Sequence, residues 1–110
     1  DYKPNFEQIA KFMSLLGQPS RIQILLAIGR EHACVCHLEE ILGMRQAAIS
    51  QQLMLLREAG LVETEKYGRH VYYKLKDSNW LNLIEQAAHL LEVELPTINM
   101  PEIAGCEYPK

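Results

Sequence analysis

The sequence predicts a mainly helical fold with one small β-hairpin, in the order helix, helix, helix, helix, strand, strand, helix. Three observations predict it. Apolar residues recur at helical spacing along most of the chain. Glycines stand where those periodic stretches end, at Gly17, Gly29, Gly43 and Gly60. Residues 61–75 break the helical period and carry Val, Thr and Tyr in two short runs on either side of Gly68.

Phe6, Ile9, Met13 and Leu16 make the stripe of a first amphipathic helix that stops at Gly17. Pro19 suits the first turn of a second helix, which continues through Ile22, Leu25 and Leu26 toward Gly29. Residues 31–36 interrupt the pattern. A short helix comes next, over 37–42, with Glu39 and Glu40 in its first turn, where the helix dipole favours negative charge. Gly43, Met44 and Arg45 connect it tightly to a helix over 46–59, whose apolar stripe is Ile49, Leu53 and Leu56 and whose stop is Gly60. Strands over 61–67 and 70–75 turn at Gly68. A last helix, 79–94, sets Trp80, Ile84, Ala87 and Leu91 on one side, with Leu81 and Ala88 beside them. Pro96, Pro101 and Pro109 make the C-terminal segment irregular. Residues 1–95 therefore read as one domain, and 96–110 as a Pro-containing tail that carries Cys106.

A chain of 110 residues that is 48% apolar has the size and composition of a single packed domain. It has no apolar run of about 18 residues that would span a membrane. The first six residues lack the basic-then-apolar order of a secretory signal. The three cysteines are an odd number, and Cys34 and Cys36 stand too close in sequence to suggest a disulfide framework. A reducing cytoplasm is the expected compartment, with thiols available for metal or redox chemistry. No Gly-rich phosphate loop, nucleophile–base pair or convergent acidic cluster is present at motif spacing, which argues against an enzyme.

The formal net charge of −3 argues at first against nucleic acid. Its distribution reverses that. Residues 45–76 carry Arg45, Arg57, Lys66, Arg69, Lys74 and Lys76 against Glu58, Glu63 and Glu65, and the acidic excess lies elsewhere. The local field is what meets phosphates. Two helices joined by a three-residue turn, with a hairpin after the second, describe a winged helix-turn-helix. On the helix 46–59, Gln46, Ala47, Ser50 and Gln51 face away from the apolar stripe, and short or amide side chains there suit base edges in a major groove. Arg45 and Arg57 suit phosphates, which fix register without reading sequence. Lys66 and Arg69, with Tyr67, Gly68 and His70, make a basic hairpin tip that suits a phosphate or a minor groove. Double-stranded operator DNA is the expected partner. A polar helix face and a solvated hairpin are the plain alternative for either element taken alone.

Several runs carry a more specific likeness. Residues 34–43 (CVCHLEEILG), 46–53 (QAAISQQL), 55–62 (LLREAGLV) and 68–75 (GRHVYYKL), with Pro19-Ser20-Arg21-Ile22 opening the second helix, resemble the ArsR/SmtB family of metal-sensing repressors. The resemblance covers roughly residues 6–95. It implies a homodimer built on the first and last helices and release from operator DNA when an inducer binds. The chain departs from the family at Gln51-Gln52, where Arg-His is common, and at Arg45, where Ser is frequent.

The expected input is Cys34-Val35-Cys36. In an extended segment residues i and i+2 point the same way, so both sulfurs reach one ion, and thiolates ahead of a helix N-terminus are favoured electrostatically. Thiolates suit soft ions. The plain alternative is that these cysteines are small buried hydrophobes. The resemblance implies a thiolate sensor at this position, with As(III) ahead of Cd(II) or Pb(II) and no organic cofactor. Where arsenic sensors of the family often carry a further cysteine, this chain has Glu39. Cys106 is the expected third ligand, with His32 and His37 as substitutes. The family's other site, across the last helices, is not expected here, because Asp77, His89 and Glu92 lack their companion at Asn79. Two alternatives remain: a thiol redox or reactive-sulfur sensor linking Cys34 or Cys36 to Cys106, and a winged-helix protein-interaction module with structural cysteines.

Overall fold

The chain's computed structural model describes residues 5–101 and 103, and these form five α-helices and one antiparallel hairpin. In chain order they are α1 (Phe6–Leu15), α2 (Pro19–Ile28), α3 (Val35–Leu42), α4 (Gln46–Glu58), β1 (Val62–Tyr67), β2 (His70–Leu75) and α5 (Asn79–Leu91). The order is the predicted one, and it is that of a winged helix-turn-helix. None of the described helices is long and apolar enough to cross a membrane.

Local chemistry accounts for the boundaries. The Asn5 side chain accepts the Gln8 N–H at 3.2 Å and caps α1. Pro19 enters α2 in its first turn, where its missing N–H costs nothing. Gly43 closes α3 in the left-handed region, φ 64° and ψ 20°, and thereby makes the turn into α4. The hairpin pairs Val62 with Leu75 through to Tyr67 with His70, leaving a two-residue turn whose first residue, Gly68, has φ 61°.

One apolar core holds these elements together. Ile24, Leu25 and Ile28 of α2, Leu38 of α3, and Ile49, Leu53 and Leu56 of α4 meet Leu61, Val62 and Ile84 there. Full burial of each such side chain contributes roughly 1.5–3 kcal/mol. The stripe predicted for 46–59 is therefore the buried face of α4.

Three expectations change. α3 starts at Val35, two residues early, because Cys34 serves as its N-cap (φ −90°, ψ 169°). α5 ends at Leu91, where Glu92 turns left-handed at φ 57°, and it buries Leu81, Ile84 and Ala88. Ala87 and Leu91, placed on its inner side from the sequence, are exposed. Of the predicted stripe, Trp80 and Ile84 do meet the core. α1 has no fully buried residue: Phe6, Ile9 and Met13 are 71%, 54% and 54% exposed. Phe12 meets Trp80 of α5 with ring centroids 4.4 Å apart, setting α1 beside α5. Beyond α5, Leu95, Ile98 and Met100 fold back against the core.

Gly43→Ala tests the turn between α3 and α4. An added Cβ would meet nothing within 4 Å, so the cost is conformational alone. We expect a loss of about 1–2 kcal/mol in chemical denaturation; an unchanged midpoint would mean that the left-handed turn is not required.

Candidate functional site

The segment ahead of α3 is built into the sheet. Ala33 and Tyr73 of β2 exchange both backbone hydrogen bonds: the Ala33 N–H donates to the Tyr73 carbonyl at 3.0 Å, and the Tyr73 N–H to the Ala33 carbonyl at 2.7 Å. Cys34, the next residue, is held between the hairpin and the start of α3. It is buried against Tyr72, and Cys36 and Ile103 pack at the margin of that pair.

Cys34 and Cys36 are joined by a disulfide, their Cα atoms 5.4 Å apart. The sequence-based expectation that two cysteines so close would stand as separate thiols is thus corrected. So is the expectation that an extended segment aligns them. Cys34 is extended, but Cys36 lies in the first helical turn, and it is the bend from N-cap into helix that brings their Cα atoms within ordinary disulfide span.

His37 completes the corner. It is buried, and its Nδ1 accepts the Cys34 backbone N–H at 3.2 Å while lying 3.2 Å from Cys34 Sγ. This is the helix-start pairing in which residue N3 reaches back to the N-cap. Cys34, Cys36 and His37 place their donor atoms within 4.8 Å of one another, and they are the only group of three or more such donors among the described residues. His32 is half-buried and outside that group. Cys106 lies outside the described residues. Asp77, His89 and Glu92 are not brought together; the Asp77 carboxylate instead accepts the Asn79 N–H at 2.9 Å at the start of α5.

On α4, Gln46, Ala47 and Gln51 are exposed and Ser50 is half-buried, opposite Ile49, Leu53 and Leu56. Arg45 at the N-cap and Arg57 in the last turn are exposed, as are Lys66 and Arg69 of the hairpin. Lys74 is spent on an ion pair with its cross-strand partner Glu63 at 3.2 Å. Gln52 does not belong to the outer face. Its Oε1 accepts Arg21 Nε at 2.8 Å, while Arg21 Nη1 donates to the Leu15 carbonyl at 3.2 Å. Arg21 thus ties the end of α1 and the middle of α4 to α2.

Sequence reasoning missed two of these roles. The Cys34-to-His37 spacing is that of a capping box, but neither residue type advertises one. The Arg21–Gln52 bond joins residues 31 positions apart, and nothing local signals it.

Residues 18–64 match the profile of the bacterial regulatory protein arsR family. The chain is 40% identical over 87 residues to the transcriptional repressor SmtB homolog of Synechocystis sp., covering 78% of this chain and 66% of that protein. It is 32% identical over 91 residues to the cadmium resistance transcriptional regulatory protein CadC of Listeria innocua, covering 80% and 76%. The structure resembles the crystal structure of Rv0081 of M. tuberculosis, with a TM-score of 0.73, 28% identity, and coverage of 83% of this chain and 92% of that one.

Arg21→Gln removes the charged donor between α1 and α4. Hydrogen bonds to charged groups contribute about 1.5–3 kcal/mol, so urea denaturation should show a loss in that range. An unaltered stability would make the Arg21–Gln52 bond an idle surface contact.

Proposed function

This chain belongs to the arsR family of bacterial regulatory proteins, a family of DNA-binding transcriptional regulators, and on that premise we propose that it is a repressor released from its operator when Cys34 and Cys36, as thiolates, bind a thiophilic ion. The observation that carries this is the position of the two sulfurs. They stand at the N-cap and first turn of α3, the first helix of the helix-turn-helix, one residue from the backbone pairing of Ala33 with β2. An ion held there acts on the reading helix through α3 and on the hairpin through Tyr73. Soft ions fit a pair of thiolates, which leaves As(III), Cd(II) and Pb(II) as inducers, with Cys106 as a further donor. The cadmium resistance regulator among the relatives supports that ion class. A reducing cytoplasm supplies the dithiol state.

Gln46, Ala47, Ser50 and Gln51 read base edges, and Arg45, Arg57, Lys66 and Arg69 hold phosphates or enter a minor groove. Operator binding needs two copies, because paired reading helices match half-sites about 34–36 Å apart. The homodimer forms through α1 and α5, whose Phe6, Ile9, Met13, Leu90 and Leu91 are more than half exposed in the single chain. A small rotation of one reading helix against its mate then weakens both half-sites.

The disulfide favours a second input. Peroxide takes two electrons and two protons from the Cys34 and Cys36 thiols, leaving the disulfide and two waters. In that case oxidation, with no ion present, releases the DNA.

Thermodynamic linkage gives the test. If Cd(II) weakens operator binding by some factor, operator must weaken Cd(II) binding by the same factor. With an operator selected from a pool of random duplexes, we expect equal factors in the reduced wild type and none in the Cys34→Ser, Cys36→Ser double variant, which should still bind DNA. Equal Cd(II) affinity with and without operator would exclude ion-driven release, and DNA release by peroxide alone would leave the redox input. Separately, Leu91→Glu should convert a dimer in sedimentation velocity into a monomer; an unchanged species would place the interface elsewhere.

A further inference from the structure

We propose that Arg21 is a positioning residue for operator reading: by joining the end of α1 to the middle of α4, it fixes the separation of the two half-sites that a dimer accepts. This rests on the reading that α4 meets base edges and that α1 lies in the dimer interface.

Arg21 stands in the first turn of α2, yet its side chain serves two other helices. Nε donates to Gln52 Oε1 on α4 at 2.8 Å, and Nη1 donates to the Leu15 carbonyl at 3.2 Å. Leu15 is the last residue of α1, which has no basic residue in its own last turn. The last carbonyls of a helix are the negative end of its dipole, and the guanidinium meets that end with a donor and a positive charge. A guanidinium is planar and holds its N–H groups in a fixed fork, so the two bonds set a direction as well as a distance.

The remaining contacts of both helices are less directional. No residue of α1 is fully buried, and it is held by Phe12 on Trp80 and by Leu15 against the core. α4 has no side-chain N-cap, and among the described residues no other side chain of α4 is hydrogen-bonded to another element. Ile49, Leu53 and Leu56 keep α4 down on the core, but apolar contact has no preferred direction and permits small slides.

A two-fold axis doubles any such slide. With α1 at the interface, a shift of α4 along the line joining the two reading helices changes their separation by twice its size. One base pair is about 3.4 Å of duplex, so roughly 1.7 Å in each protomer moves the register by a whole base pair. The Arg21–Gln52 bond, at 2.8 Å, does not survive a stretch of that size. While the bond is made, α4 is confined to one register.

The experiment starts from the operator that the chain selects from random duplexes and adds or removes one or two base pairs between its half-sites. The wild type should bind each altered spacing at least about tenfold more weakly than the selected one. Arg21→Met and Gln52→Met should bind the altered spacings within about threefold of it, with an unchanged salt dependence because the phosphate contacts are untouched. Gln52→Glu should keep the wild-type preference, since a carboxylate still accepts Arg21 Nε. If Arg21→Met fails to fold, Gln52→Met carries the same comparison. Met variants as strict about spacing as the wild type would overturn the proposal, and so would Gln52→Glu behaving like Gln52→Met. In both cases operator reading stands, because the wild type has bound its operator. A wild type that selects no operator overturns that reading and this proposal together.

Discussion

The two backbone hydrogen bonds between Ala33 and Tyr73 are the constraint on which the thiol corner depends. Without them residues 30–34 would be an ordinary loop joining α2 to α3. With them, the residue after Ala33 has no freedom to swing away, and Cys34 becomes a buried N-cap facing Tyr72 and His37. The same pairing makes one residue's position matter to two elements. Cys34 is tied directly to the start of α3 and, through its neighbour Ala33, to the hairpin. Packed elements of this kind respond by discrete rearrangement rather than smooth deformation.

Behind that corner, the core fixes the angle between the two helices of the helix-turn-helix. Leu38 from α3 and Ile49, Leu53 and Leu56 from α4 share one apolar cluster with α2. The polar face of α4 is outward because the other face has nowhere else to go. Arg21 adds a directional hold on the same helix, acting on Gln52 from the protein side. The basic side chains of this region lie on elements whose orientation that core sets, so a chain of net charge −3 presents positive charge where α4 and the hairpin tip emerge.

α1 and α5 show a different balance. α1 is capped and amphipathic, yet none of its residues is fully buried. A ten-residue helix is marginal alone in water and ordinarily owes its stability to packing on its apolar face. Contact with Trp80 supplies part of that packing. The remaining apolar surface on α1 and at the end of α5 is what a second copy covers in the proposed dimer.

How far each feature could be read from the sequence depends on the range of the interactions that produce it. Element order, the left-handed stop at Gly43, the hairpin at Gly68 and the inward stripe of α4 are set by neighbours within a few positions, so the sequence by itself determined them. The likeness to metal-sensing repressors was likewise carried by contiguous runs. Only the tertiary structure decided what depends on contacts between distant segments. Of the stripe that periodicity suggests for α5, Trp80 and Ile84 meet the core, while Ala87 and Leu91 stay exposed because the core does not extend to them. Arg21 finds Gln52 only once α2 and α4 are packed together. Cys34 and Cys36 looked like separate thiols on an extended segment until the N-cap bend closed them into one disulfide with His37 beside it. That bend sits beside a backbone pairing with a strand forty residues away, which no local pattern announces.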